Sequence, residues 1–413
     1  MRGWRPGDGH DRGAVVVGTD EHTVPEGDAA ASWIATGPEL AALIAELRAE
    51  PVYALDTEFH RERTYHPHVA LIQIAWRGGI ALVDPLAVDI TPLAEILRAD
   101  KLMVAHAAQQ DLEVLQYACG ALPDRLFDTQ LAAGFLGYGT PSLLNLADAI
   151  LGVKLSKGDQ LADWTRRPID SQQRAYAIAD VSHLMDLYDE IVRRLEGNGR
   201  LIWAEDECAA LLDAYRGPPD PQTAWWKIKG SRSLRGSRRG VAQCVAAWRE
   251  TRASRTDTPL RHVLPDLALA AIVQRAPHSR EDLDRIRGLD GRHLRNGAAA
   301  ELLAAISTGT ELPDDALRLP PDVVGDRVDG PTVTLLAAWV GQRASELKLD
   351  SSLLATRNDL SSLAAGRPGA RLAHGWRREL VYEPLQQLLR GEAALGVDAS
   401  GRVVLEARVS DAG

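Results

Sequence analysis

The chain has 413 residues, 45% of them hydrophobic and 25% charged, with a formal net charge of −10. That length exceeds one ordinary core and calls for two or three domains. The composition excludes a fibrous or disordered chain, no apolar run reaches the ~20 residues of a membrane helix, and the charge excludes a uniformly basic coat but not a local basic groove.

Residues 1–30 read as a Gly/Asp-rich flexible tail with no signal-peptide core. From there to about residue 215 the pattern is one domain. "VYALD" (52–56), "VALIQIAW" (69–76) and "GIALVDP" (79–85) read as strands, the last two joined tightly at Arg77-Gly78-Gly79. A helix over 91–100, a strand over 101–107, a helix over 109–118, a strand over 125–128 and a helix from 129 follow. Three antiparallel strands followed by strand–helix units predict a mixed sheet with helices on its faces. Residues 142–200 read as helical, with one long amphipathic helix over 170–196 capped by Asp170 or Ser171.

Residues 216–240 change texture. "GPPDPQ" breaks helix, and the stretch after it carries Lys227, Lys229, Arg232, Arg235, Arg238 and Arg239 with no acid among them. We expect a basic linker here, with phosphate contact and plain solvation as its two readings. Residues 241–310 and 331–395 read as two small helical units separated by a Pro/Asp-rich linker (311–330), with a tail over 396–413. "VAAWRETRASRTDTPLRHVLPDLALAAIV" and "LAAWVGQRASELKLDSSLLATRNDLSSLA" run loosely in parallel, as in a degenerate duplication. Cys119, Cys208 and Cys244 are too widely spaced for a zinc finger and do not suggest a disulfide framework, which fits a reducing cytoplasm.

The chemistry gathers in three stretches. "ALDTEF" places Asp56 and Glu58 on one face of a strand end, because strand side chains alternate. Either the strand stops at Leu55 and both acids meet water, or a hard divalent cation offsets their mutual repulsion and burial. "HAAQQDLEVL" carries Asp111 near a helix start, where an acid is commonplace. "YAIADVSHL" sets Tyr176 and Asp180 four apart on one helix face, which alone suggests a hydrogen-bonded pair. Gln73, on an otherwise apolar strand, has no account from sequence.

Together the three stretches resemble the exonuclease motifs of the DEDD superfamily in its tyrosine-containing branch. "ALDTEFHRERTYHPHVALIQIA", "LVDPL", "HAAQQDLEVL", "FDTQLAA" and "DWTRRPIDSQQRAYAIADVSHL" are similar to bacterial ribonuclease D, and the two helical units to HRDC domains. His60 follows Phe59 where relatives often have an aliphatic residue, outside the motif positions. The resemblance implies a ribonuclease-H-like, mixed five-stranded sheet with flanking helices, then two all-α HRDC-like units. It implies a metal-dependent 3′–5′ exoribonuclease acting on tRNA precursors and other structured RNAs. Asp56, Glu58, Asp111 and Asp180 fall on the ligand positions for two divalent ions, Mg²⁺ or Mn²⁺, and Tyr176 on the fifth motif position. Asp56 is then the bridging ligand, Glu58 and Asp180 stand on the nucleophile side, Asp111 on the other, and Tyr176 orients the attacking water.

Thr57, Trp164, Lys227, Lys229, Arg232 and Arg235 are candidate substrate contacts. Thr57 offers its backbone amide, and Trp164 has a stacking reading beside a core-packing one. His106 reads as structural and Asp128 as a helix cap. Competing readings are a 3′–5′ DNA exonuclease, since proofreading domains share the motifs, and a non-catalytic RNA-binding scaffold. A P-loop is absent from the sequence, which favours a stand-alone nuclease.

Overall fold

The structure, a computed structural model, describes residues 31–155, 162–217, 219–320, 330–367 and 371–408. The expected N-terminal tail, residues 321–329 of the second linker and the last five residues lie outside these.

The nuclease sheet has six strands among the described residues, in the order β1-β4-β3-β2-β5-β6. They are β1 (Ser32–Ile34), β2 (Val52–His60), β3 (His68–Trp76), β4 (Gly79–Val83), β5 (Leu102–Ala105) and β6 (Arg125–Asp128). β2, β3 and β4 are antiparallel neighbours, while β5 and β6 extend the sheet in parallel from β2. The sixth strand corrects the expected five: β1 pairs in parallel with β4, Ser32 opposite Ala81. Three residues are too few to show an alternating pattern, so nothing local marked this edge strand.

Helices cover both faces. On one side α1 (Gly37–Ala49), α2 (Ala94–Leu97) and α3 (Gln109–Ala118) pack on Tyr53, Leu55, Ile72, Ile74 and Val83. α1 opens with a capping box between Thr36 and Glu39, which satisfies donors that a helix start otherwise leaves open. The other face meets α4 (Thr129–Gly134), α5 (Leu143–Leu151), α6 (Ser171–Ser182), α7 (Leu184–Gly197) and α8 (Leu201–Ala214). The expected single helix over 170–196 is two, broken at His183, where φ −109° and ψ 1° leave helical geometry. Asp170 caps α6 through a capping box with Gln173.

The first helical unit comprises α9 (Ser237–Thr256), α10 (Leu260–Val263), α11 (Asp266–Arg275), α12 (Arg280–Leu283) and α13 (Ala298–Thr310). The expected basic linker is part of this unit. Trp225 is fully buried with Leu234 in its core, and the Trp225 and Trp226 indoles both donate to Arg318 O. α9 and α13 cross closely at Gly240 and Gly309: a Cβ on Gly240 would sit 2.1 Å from Gly309 O. Only glycine permits that approach.

The second unit comprises α14 (Gly330–Leu347), α15 (Ser351–Leu354), α16 (Arg357–Ala364) and α17 (Glu383–Leu389). A long helix, a single turn and a third helix thus recur in both units, α9–α10–α11 and α14–α15–α16. The second unit then continues into an antiparallel hairpin, β7 (Ala393–Val397) and β8 (Val403–Ala407), across the expected boundary with a tail. Its apolar side chains, among them Leu336, Trp339, Leu360 and Val381, join the same core as Phe135, Ile150, Leu187 and Ile191 of the nuclease. Arg200 donates to Phe135 O and Leu347 O, Trp203 stacks on Trp376, and buried Arg377 pairs with Glu207.

Candidate metal centre

β2 carries Asp56 and Glu58 on the face covered by α6. Opposite them α6 brings Asp180, and one carboxylate oxygen from each of these three acids lies within 4.8 Å of the others. Burial is the first cause that pushes the Asp56 carboxyl well above its ordinary range, followed by the charges of Asp111, Asp180 and Glu58. Burial, then Asp180 and Asp111, pushes Glu58 up to about 8. Burial pushes Asp180 up to about 7 against an opposing hydrogen bond from Tyr176. Three acids held this close and this dry resist ionisation unless a cation joins them.

Asp111 stands beside this triad rather than within it. Burial pushes it up to about 7 as well, opposed by the Thr57 hydroxyl, which donates to Asp111 Oδ1 at 2.5 Å. Thr57 points to the sheet face opposite Asp56, so it reaches α3, on which Asp111 rides. Asp56, Glu58 and Asp180 thus come within 4.8 Å of one another, and Asp111, whose charge also raises Asp56, is held next to them by Thr57.

The turn before α3 is built to place Asp111. Ala107 adopts a positive φ of 59°, and Asp128 accepts from Ala107 N at 3.1 Å and Ala108 N at 2.9 Å. The same Asp128 carboxylate caps α4 through Gln130 N and Leu131 N. His106 is fixed between Thr129 Oγ1 and Pro141 O, and burial holds its pKa below the ordinary value. Both residues thus have structural partners.

On the far flank, Arg167 makes a two-pronged ion pair with buried Asp84 and donates to Ala70 O, which pins the segment leading into α6. Sequence reasoning missed this pair, although "LVDPL" holds the acid. Trp164 in that segment is 5% exposed and packs at 6.0 Å from the Tyr176 ring. Of its two readings, this burial supports core packing. Lys227, Lys229, Arg232 and Arg235 are exposed on the first helical unit. Arg235 folds back onto Arg232 O and Leu234 O.

The first helical unit reaches the nuclease just beyond the acids. Asp257 accepts from Tyr65 N and His66 N and contacts His68 Nε2 at 2.9 Å, and Tyr65 Oη donates to Glu250. The loop between β2 and β3 is clasped in this way. Among the described residues no helix is long and apolar enough to cross a membrane.

The donor set suits a hard divalent cation: carboxylate oxygens only, with no sulfur or imidazole in the triad. A partly buried acid cluster at the end of a mixed sheet, joined to small helical units, is the arrangement of a metal-dependent 3′–5′ exonuclease. Residues 31–196 match the 3′–5′ exonuclease domain family, and residues 238–306 match the HRDC domain. Ribonuclease D of Gluconacetobacter diazotrophicus is 36% identical over 89% of this chain and 95% of its own. Ribonuclease D of Granulibacter bethesdensis is 35% identical over 88% and 94%. The crystal structure of Escherichia coli RNase D, an exoribonuclease involved in structured RNA processing, superposes with a TM-score of 0.77 at 32% identity, covering 87% of this chain and 99% of that one. The chain belongs to the ribonuclease D family of 3′–5′ exoribonucleases.

Proposed function

We propose that this protein trims structured RNAs, tRNA precursors among them, from the 3′ end and releases nucleoside 5′-monophosphates. The convergence of Asp56, Glu58 and Asp180 within 4.8 Å carries the reading. These three, with Asp111, would hold two divalent ions, Mg²⁺ or Mn²⁺. Such ions, when bound, lower the pKa of water to make a nucleophile and stabilise the leaving 3′-oxygen.

The chain's own residues do the rest. Thr57 holds Asp111 by its hydroxyl, and its backbone amide lies between the two strand acids, where a terminal nucleotide would arrive. Tyr176 hydrogen-bonds Asp180 at the edge of the cluster. A phenol with an ordinary pKa near 10 is a poor base at neutral pH, so its role is to orient water. The exposed cations Lys227, Lys229, Arg232 and Arg235 offer phosphate contacts beyond the catalytic pocket.

Matched 3′-labelled RNA and DNA strands, with and without Mg²⁺, test the proposal. The expected result is release of labelled mononucleotide from RNA, stopped by chelator. Internal fragments, preference for DNA or digestion that resists chelation would each overturn it.

A further inference from the structure

Gln73 is fully buried, and neither its Nε2 nor its Oε1 has a hydrogen-bond partner. A buried amide without partners is costly, and natural structures rarely leave one. Its place in the sheet is specific. On β3 it stands directly opposite Asp56 of β2, with Leu82 of β4 on its other side. Side chains of directly opposed strand residues project to the same face, with Cβ atoms about 4.5–5.5 Å apart. That face is the one beneath α6, where Leu71, Leu82 and Ala177 form an apolar floor. The Gln73 amide is therefore a polar group set into an apolar floor, next to the acid that sits at the centre of the cluster.

We propose that Gln73 is a positioning residue for Asp56: its Nε2 donates to the Asp56 carboxylate and holds it in the rotamer that receives a cation. The inference rests on the reading of the acid cluster as a metal centre. An ionised carboxylate accepts at both oxygens, while an amide supplies two donors. Once one Asp56 oxygen faces a cation, the other needs a donor from the protein. Gln73 is the cross-strand neighbour with donors to offer, and such outer partners set ligand orientation and affinity. In the structure neither amide atom has a partner, so the bond is made by turning the side chain toward Asp56.

The test is Mn²⁺ titration by calorimetry on the full chain, comparing wild type, Gln73→Met, Gln73→Leu and Asp56→Asn, with thermal unfolding of each metal-free protein alongside. Both Gln73 variants are close in volume and apolar, so they fit the floor. We expect them to keep or raise the metal-free melting temperature while weakening Mn²⁺ binding about 10- to 100-fold. Unchanged Mn²⁺ affinity in the variants, with binding lost in Asp56→Asn, overturns the role of Gln73 and leaves the metal centre standing. That result would fit a buried water as the amide's partner. No Mn²⁺ binding by wild type overturns both. Loss of the folded state in both Gln73 variants also overturns the inference, because it would make the amide a structural element.

Discussion

Thr57 and Asp111 are joined through the strand: a side chain on one face of β2 holds, at 2.5 Å, an acid carried by a helix on that face, while the neighbours Asp56 and Glu58 turn to the other. One short strand segment thus positions three of the four acids, two by carrying them and one by a hydroxyl. Thr57→Val keeps the shape and removes the donor. It should lower nucleotide release about 10- to 100-fold and cost about 1–3 kcal/mol of stability. Steady-state kinetics and urea unfolding check this. Wild-type turnover in the variant would make the bond incidental to the site.

Asp56→Asn and Asp180→Asn each remove one charge from the crowded triad. The metal-free protein should become more stable, since the burial that raises both groups, and the neighbouring charges that also raise Asp56, act on a neutral amide no longer. Release of nucleotide should fall on the order of a thousandfold or more. Melting temperature and turnover moving in opposite directions is the signature to look for. A fall in both would mean that these acids hold the fold together.

Titration gives a separate check. Glu58 sits at about 8 and Asp111 and Asp180 at about 7 in the fold, against about 4 for unfolded carboxyls. Between those limits the folded state binds more protons than the unfolded one, so stability falls as pH rises. The metal-free protein should be favoured by these groups near pH 4 and lose that share progressively up to about pH 8. Added Mg²⁺ should raise the melting temperature more at pH 8 than at pH 5. A Mg²⁺ effect that is equal at both values would contradict the buried, proton-loaded cluster.

Asp257 joins the first helical unit to the loop after the catalytic strand, through two backbone amides and His68. Asp257→Ala should loosen this clasp. Cleavage of a short single strand should change little, while processing of a structured RNA slows several-fold. Small-angle scattering should show a broader distribution of shapes. Equal losses on both substrates would place the clasp's effect in the catalytic pocket itself.

The site was legible because its geometry is local. Asp56 and Glu58 share a strand face by parity, and Tyr176 and Asp180 share a helix face by turn. Asp111 needed the family resemblance, since an acid in a first helical turn has many ordinary reasons to be there. What escaped was set by distant contacts. β1 is a three-residue edge strand defined only by its parallel partner β4. The Arg167–Asp84 pair that ties down the loop carrying Trp164 spans 83 residues, and the two readings of Trp164 stayed open without it. The stretch from Lys227 to Arg239 looked like a linker because its charges are outward, yet Trp225 and Leu234 anchor it inward. Helix periodicity ran unbroken through His183 in the sequence, while the packed chain turns there.

The shared core of the nuclease and the second helical unit has a consequence for biosynthesis. Leu336, Trp339, Leu360 and Val381 complete a cluster begun by Val104, Phe127 and Phe135. A ribosome delivers the catalytic strand, which ends at His60, more than three hundred residues before Val381, the last of these partners, emerges. The nascent nuclease must therefore wait with one flank uncovered, exposed to chaperones, until the second helical unit has been made.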